Sequence, residues 1–358
     1  MIRVVVAMSG GVDSSVAAAL LREQGYEVIG MMLRLWSENG AEQANRCCTP
    51  ESMEVARRVA AKLNIPFYAI DARQPFREIV VQSFLDGYQS GVTPNPCLVC
   101  NQRIRWGFLL EQARLFGANA LATGHYARLQ RLETSSGVRF SLLRAVDRAK
   151  DQSYVLHRLN QQQLRQTMFP IGDYTKDQVR QLAADFNLKI SNRPESQDLC
   201  FLAGGDYRDF LARYLPEVLR PGAILNPEGV QIGEHRGLAF YTVGQRKGLG
   251  IASPEPLYVL RKDIENNALI VGRADEPGRE VFFVHQVNWI DGAPPATEAR
   301  AQVRLRYRGQ ETGATILPLE GQRALVRLDY PRRDITPGQA AVFYDQELCL
   351  GGGLIEPQ

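Results

Sequence analysis

No run of about 18 or more apolar residues occurs in this 358-residue chain, so no segment reads as a membrane span and no membrane partner is expected. Cysteine is sparse. Six in a chain this long do not make a disulfide scaffold; in a reducing compartment they are buried, catalytic or metal-binding. Net charge is only +3, so charge alone does not announce a nucleic-acid partner. Repeats and low-complexity segments are absent. The C-x-x-C at Cys97 and Cys100 has no second such pair and no close Cys/His pair, which argues against a four-ligand structural zinc site. What remains is an ordinary soluble composition, 45% hydrophobic and 23% charged, long enough for two or three domains. The apolar start at residues 4–7 runs straight into a glycine turn, so it reads as a strand rather than a signal peptide, and a cytoplasmic protein is expected.

That turn carries the most information. Ala7-Met8-Ser9-Gly10-Gly11-Val12-Asp13-Ser14 follows a β-forming run and opens a helical stretch with Val16, Ala17, Leu20 and Leu21 on one face. Strand, glycine turn and helix together aim backbone N–H groups and the positive helix end at an anion. Gly10 and Gly11 allow close approach, Ser9 and Ser14 add hydroxyl donors, and Asp13 suits a Mg²⁺ ion bridging phosphates. The loop lacks the lysine of the G-x-x-x-x-G-K-[ST] phosphate loop. It resembles instead the pyrophosphatase loop (PP-loop) of enzymes that split ATP between the α and β phosphates.

The first half alternates strands and helices, which predicts an α/β fold with a doubly wound, mostly parallel sheet. Strands are expected at 27–35, 67–71 and 119–123, and helices at 50–63, 75–88 and 102–116, with 36–49 as a loop. The pattern breaks at 93–100. A hairpin is read at 127–145, more helix at 161–188 and a loop at 194–200. Ligands of such folds lie beyond the carboxyl ends of strands, where the glycine loop and Gly124-His125 both fall. Residues 1–205 read as this domain, 206–276 as a small central domain opened by a helix at 206–215, and 277–358 as a β-barrel. Eight arginines between Arg300 and Arg333 face only Glu311, Glu320 and Asp329. Residues 301–308 alternate strictly, with Arg304, Arg306 and Arg308 on one strand face; such a face suits phosphate contacts, and the pattern alone equally describes a solvated outer strand face.

Cys97 and Cys100 sit in Thr93-Pro94-Asn95-Pro96-Cys97-Leu98-Val99-Cys100-Asn101, close in sequence to Arg103 and Arg105 and to a helix start near Asn101. A thiol so placed tends towards the thiolate. Cys200 follows in Ser196-Gln197-Asp198-Leu199-Cys200. Cys47-Cys48 reads as packing or loop, and Cys349 as core.

These segments, with Lys150-Asp151-Gln152-Ser153-Tyr154, Gly233-Glu234-His235-Arg236-Gly237, residues 242–249 and Thr336-Pro337-Gly338-Gln339, resemble the bacterial tRNA-specific 2-thiouridylase family over essentially the whole chain. The resemblance implies thiolation of C2 of the wobble uridine in tRNAs for Lys, Glu and Gln. It implies that Ala7 to Ser14, Leu33 and Gly124 contact ATP, and that Asn95, Pro96 and Cys97 lie against the target base. His125, Lys150, Asp151, Gln152, Arg306, Tyr307 and Gln339 would contact tRNA. Cys100 would be the nucleophile that assists sulfur release, and Cys200 would carry a persulfide. A sulfur-donor protein, such as a cysteine desulfurase or a sulfur relay, or free sulfide would supply the atom.

Well-studied family members have an aspartate, a proposed proton carrier, where Cys97 stands. A thiol takes that role only with a lowered pKa. The replacement instead offers Cys97, Cys100 and Cys200 as ligands for an iron–sulfur cluster such as [4Fe–4S], leaving one iron open to sulfur. Two routes therefore stand: persulfide and disulfide cycling, or cluster-based delivery. An ATP-dependent amide-forming ligase would have no need for Cys100 and Cys200. A nucleotide- and RNA-binding redox sensor would not cleave ATP to AMP.

Overall fold

The computed structural model describes residues 1–38, 49–135, 137–188, 199–202, 205–276 and 278–357. Cys47, Cys48, most of the loop at 36–49 and residues 194–198 lie outside the described residues.

Among the described residues, the first sheet has five strands: β1 (Arg3–Ala7), β2 (Glu27–Arg34), β3 (Phe67–Asp71), β4 (Ala120–Thr123) and, further along the chain, Thr167–Met168. All pair in parallel, and the spatial order is β3-β2-β1-β4 and then Thr167–Met168. The chain winds outward from β1 in one direction and then restarts beside it with β4. That reversal is a topological switch point, and it opens a crevice where β1 and β4 end.

The valine run makes β1 the centre. Val4 and Val6 enter a core with Val16 and Leu20 of α1 (Val12–Glu23) and Val55 and Val59 of α2 (Pro50–Lys62). Val5 enters the opposite core with Trp106, Leu109 and Leu121. Burying each such side chain contributes roughly 1.5–3 kcal/mol over leaving it exposed. The α2 start is set by Thr49, whose hydroxyl accepts from Ser52 N at 3.0 Å, with proline at the first helical position.

Two expectations need correction here. The break expected at 93–100 is shorter: residues 92–95 are irregular, but 96–100 are helical. A continuous helix begins at Pro96 and runs through Pro96–Val99, the wider π-helical turns of Cys100–Leu109 and Leu110–Leu115. Asn95 is its N-cap, accepting from Cys97 N at 3.1 Å. The stretch at 161–188 also contains the short edge strand at Thr167–Met168 between the helices Gln161–Arg165 and Lys176–Asp185.

The hairpin of β5 (Ala127–Thr134) and β6 (Gly137–Arg144) leaves the first sheet and joins the last one, because β6 pairs with the C-terminal strand. After β6 in sequence, β7 is the Thr167–Met168 edge strand of the first sheet. Then β8 (Gly222–Leu225), β9 (Gln231–His235), β10 (Tyr258–Asp263) and β11 (Ala268–Gly272) form a central sheet around Ile224, Val259, Leu269 and Val271. The C-terminal sheet contains β12 (Arg279–Trp289), β13 (Ala299–Arg304), β14 (Thr312–Leu319), β15 (Arg323–Arg332), β16 (Ala340–Asp345) and β17 (Leu348–Ile355). Pairing of β12 with β17 closes it into a barrel. The alternation at 301–308 does not persist as a strand: β13 ends at Arg304 and the chain turns, with Gly309 N donating to Arg306 O at 3.0 Å. No helix among the described residues is long and apolar enough to cross a membrane.

Candidate active site

The glycine loop leaves the end of β1 and enters α1 at the switch point. Gly10 has φ +73°, a left-handed conformation that favours glycine. Gly11 stands at the N-cap of α1 and brings no side chain to it, so the first turn's N–H groups are not covered from that position. The loop is braced from inside. Ser9 N donates to Ser14 Oγ at 3.2 Å, and the Ser14 and Ser15 hydroxyls donate to Gly11 O at 3.2 and 2.9 Å. These bonds fix the loop's shape, and the first-turn N–H groups it leaves uncovered suit an anion.

Gly124, at the end of β4, packs directly on the loop. A Cβ built there would sit 2.6 Å from Ser14 N and 2.7 Å from Asp13 C. One cavity is lined by Ala7, Met8, Ser9, Gly11, Asp13, Ser14, Leu33 and Gly124 of the expected nucleotide set, together with Cys100, His125 and Gln152. Gly10 and Val12 are buried behind it. Arg105, one helical turn beyond Cys100, brings a cation to the same wall.

His125 had been expected to face tRNA. Its ring is 6% exposed, packed near Trp106 and Phe169, with Nδ1 at 2.8 Å from Thr123 Oγ1. Burial, helped by the Arg105 charge, pushes its pKa well below the usual value, so the ring stays neutral at physiological pH.

Two residues to which no role was assigned meet Asp13. Tyr126 donates its hydroxyl to Oδ1 at 2.8 Å. Lys176, at the start of the helix Lys176–Asp185, places Nζ 2.8 and 2.9 Å from the two carboxylate oxygens. Tyr126 lies beside Gly124 and His125 and so was within reach of motif reading. Lys176 lies 163 positions from Asp13, and no local pattern marks it.

Cys97 and Cys100 occupy the first turns of the helix that starts at Pro96. Cys97 is exposed and Cys100 half-buried in the cavity wall. Cys100 and Cys200 both border one aromatic cluster built from Phe76, Phe84, Phe201 and Phe210. Among the described residues, no three His, Cys, Asp or Glu side chains are gathered so as to hold a metal ion. Cys97, Cys100 and Cys200 therefore do not form the ligand triad expected of an iron–sulfur site in this conformation, and no step is derived through a cluster.

The remaining expected tRNA contacts divide. Lys150 and Arg306 stand at or near the surface; Arg306 pairs with Asp334 at 3.2 Å and lines an arginine-bearing groove with Arg332 and Arg333 between central domain and barrel. Asp151 is buried. Its carboxylate accepts from Ala145 N, Ser153 N, Ser153 Oγ and Arg304 Nη1 at 2.9–3.2 Å, which makes it an internal tie here. Gln152 holds Tyr126 N at 3.0 Å. The Tyr307 phenol is raised in pKa by burial and then by the nearby Asp151 carboxylate. Gln339 donates to Thr93 O at 2.8 Å, just ahead of Asn95 and Pro96. Arg304 is likewise not part of an open arginine face: it is bound to Glu311 at 2.6 Å and to Asp151.

A switch-point glycine loop backed by a carboxylate, with a thiol in the same wall, defines a nucleotide-binding α/β protein, extended by a small β domain and a barrel. The chain matches three successive domain families, described as tRNA methyl transferase HUP domain (2–204), tRNA methyl transferase PRC-barrel domain (208–273) and aminomethyltransferase beta-barrel domain (279–355). It is 49% identical to the tRNA-specific 2-thiouridylase MnmA of Chloroflexus aggregans, covering 99% of this chain and 98% of that protein. It is 46% identical to the protein of the same name from Roseiflexus castenholzii, covering 99% of each. The chain belongs to the tRNA-specific 2-thiouridylase MnmA family. Among solved structures, a 4-thiouridine synthetase–RNA complex with bound ATP aligns with a TM-score of 0.35 and 15% identity, over 60% of this chain and 50% of that one.

Proposed function

We propose that this protein is a tRNA-uridine 2-sulfurtransferase that thiolates C2 of the wobble uridine in tRNAs for Lys, Glu and Gln, at the expense of ATP. The observation that carries the reading is the presence of Cys100 in the wall of the cavity that holds the glycine loop. A methyl transfer, as two of the domain descriptions would suggest, has no need of a cradle for a polyphosphate.

The chemistry follows from the groups present. Uracil O2 is a poor leaving group; attack of O2 on the α-phosphorus, with loss of the N3 proton, releases pyrophosphate and leaves O2 as an adenylate. The loop N–H groups receive the departing charge. Asp13, part-exposed in the cavity, would hold Mg²⁺, which supplies charge neutralisation there. The terminal sulfur of a Cys200 persulfide, loaded by exchange with the persulfide of a sulfur-donor protein that leaves as a thiol, then attacks C2 and AMP departs with O2. The Cys100 thiolate attacks Cys200 Sγ, forming a Cys100–Cys200 disulfide and releasing the base with its new sulfur, and N3 regains its proton. An external dithiol returns both cysteines to the thiol form. The shared aromatic border of Cys100 and Cys200 supports their meeting. The base must leave the anticodon stack, which costs a few kcal/mol and least in a single-stranded loop.

Incubation of the protein with ATP, a persulfide donor, a dithiol and tRNA should yield 2-thiouridine in digested nucleosides, with AMP and pyrophosphate in step. Binding of tRNA with no AMP formed under anaerobic conditions would sink the proposal. Iron and acid-labile sulfide in anaerobically prepared protein, with activity lost on their removal, would transfer the sulfur step to a cluster.

A further inference from the structure

The loop presents a paradox of charge. It is built to receive a polyphosphate, yet its Asp13 carboxylate lines the same cavity, and the loop itself carries no lysine. The fold answers this from elsewhere. Lys176 is 7% exposed in its side chain, and its ammonium binds both oxygens of Asp13, with Tyr126 donating to the same carboxylate. A lysine ammonium is held in so enclosed a position only against an anion. Tyr126 gives Asp13 a second donor, so the carboxylate keeps a partner when the ammonium turns away. His125 contributes no positive charge, being neutral by burial, and Arg105 reaches the cavity from the helical segment that also carries Cys100.

We propose that Lys176 is the pyrophosphate-binding cation of this site: it rests on Asp13 while the cavity is empty and moves onto the β and γ phosphates when Asp13 engages the metal carried by the nucleotide. It thus supplies from the helix at Lys176–Asp185 what the phosphate loop of other enzymes carries within its own sequence. During adenylation the bond from the α-phosphorus to the bridging oxygen breaks and the electron pair leaves with pyrophosphate. The ammonium stabilises that charge without moving a proton. The inference rests on the ATP reading given above.

The test is calorimetric titration of inorganic pyrophosphate, ATP and AMP into the full chain, with and without Mg²⁺. Lys176→Met should weaken pyrophosphate and ATP at least tenfold and change AMP affinity less than twofold, because AMP lacks the β and γ phosphates. Lys176→Arg should recover most of the loss. Lys176→Met also leaves Asp13 without its cation, so the same change is made on top of Asp13→Asn. A further tenfold loss of pyrophosphate affinity in the double variant supports direct contact. No further loss there means that the lysine acts only through Asp13, and the proposal is overturned. Wild-type affinity for pyrophosphate in Lys176→Met, or an equal loss for AMP, overturns it too. If the wild-type chain binds neither ATP nor pyrophosphate, the nucleotide reading itself falls; if it binds both and the variants match it, only the role of Lys176 does.

Discussion

Lys262 illustrates how one residue sets a pH dependence. Its ammonium donates to Gly91 O at 3.2 Å, and burial pushes its pKa down to about 8. Below pH 8 the lysine is protonated in both the folded and unfolded chain, and the full cost of burying the charge is present. As pH rises from about 8 towards the unfolded value of 10.5, the unfolded chain binds more protons, so folding stability rises. The swing is on the order of 3 kcal/mol. Lys262→Met should be more stable than wild type at pH 7, less about 1 kcal/mol for the lost hydrogen bond, and that advantage should shrink by pH 10. Urea unfolding at the two pH values measures it; an advantage independent of pH would refute the burial argument. At this scale the sequence was a good guide where chemistry is local and a poor one where it is not. Ser9, Asp13 and Gly124 are legible because strand, turn and helix are contiguous. Lys176 is not, because its partner lies 163 positions away, and neither is the ion pair of Asp151 with Arg304, which spans 153.

Among elements, the end of β4 and the start of α1 act as one unit. Gly124 is there because no side chain fits: an added Cβ would stand 2.6 Å from Ser14 N, a backbone atom that cannot move without reshaping the cradle. Gly124→Ala should therefore lower ATP affinity at least tenfold while far-ultraviolet circular dichroism stays native. ATP binding within twofold of wild type would show that the loop yields. The helix from Pro96 shows the opposite relation between local signal and reading. Two prolines suggested a break, yet Asn95 capping and Pro96 at the first helical position are a helix start, and they put Cys97 and Cys100 on its opening turns. Residues 305–308 failed differently. Alternation carried past Arg304 although the barrel required a turn there, so Arg304 went inward to Glu311 while Arg306 stayed out.

The whole molecule is held together by the β5–β6 hairpin, which starts after the active-site strand and ends in the barrel sheet. Arg144 of β6 and Arg304 of β13 share Glu311, and Arg304 also binds Asp151. Burial would raise the Glu311 pKa, but hydrogen bonds from both arginines outweigh it and hold the carboxyl below its usual value. That stabilisation is present above pH 4–5, the ordinary carboxylate range, and is lost as pH falls through the lowered value. Glu311→Gln, which leaves the buried Arg144 without its anion and Arg304 with Asp151 alone, should cost about 3 kcal/mol in urea unfolding at pH 7. A loss under 1 kcal/mol would show that the network is surface-like. The barrel also reaches the cysteine segment. Thr93 N donates to Pro337 O at 2.9 Å, Gln339 Nε2 donates to Thr93 O, and Gly338, at φ +86°, lies so close that a Cβ would stand 2.8 Å from Val92 and 3.0 Å from Thr93 O. A tRNA held on the barrel would therefore bear on the residues just ahead of Asn95, Pro96 and Cys97, whereas the glycine loop lies on a different strand end. Gly338→Val should push this clamp apart, lowering the rate of 2-thiouridine formation at saturating tRNA at least tenfold and leaving ATP affinity within twofold. Gln339→Ala, which removes one of the two hydrogen bonds without a steric push, should give a smaller loss of the same kind. If either variant weakens ATP binding as much as thiolation, the clamp supports the fold generally and not the cysteine segment.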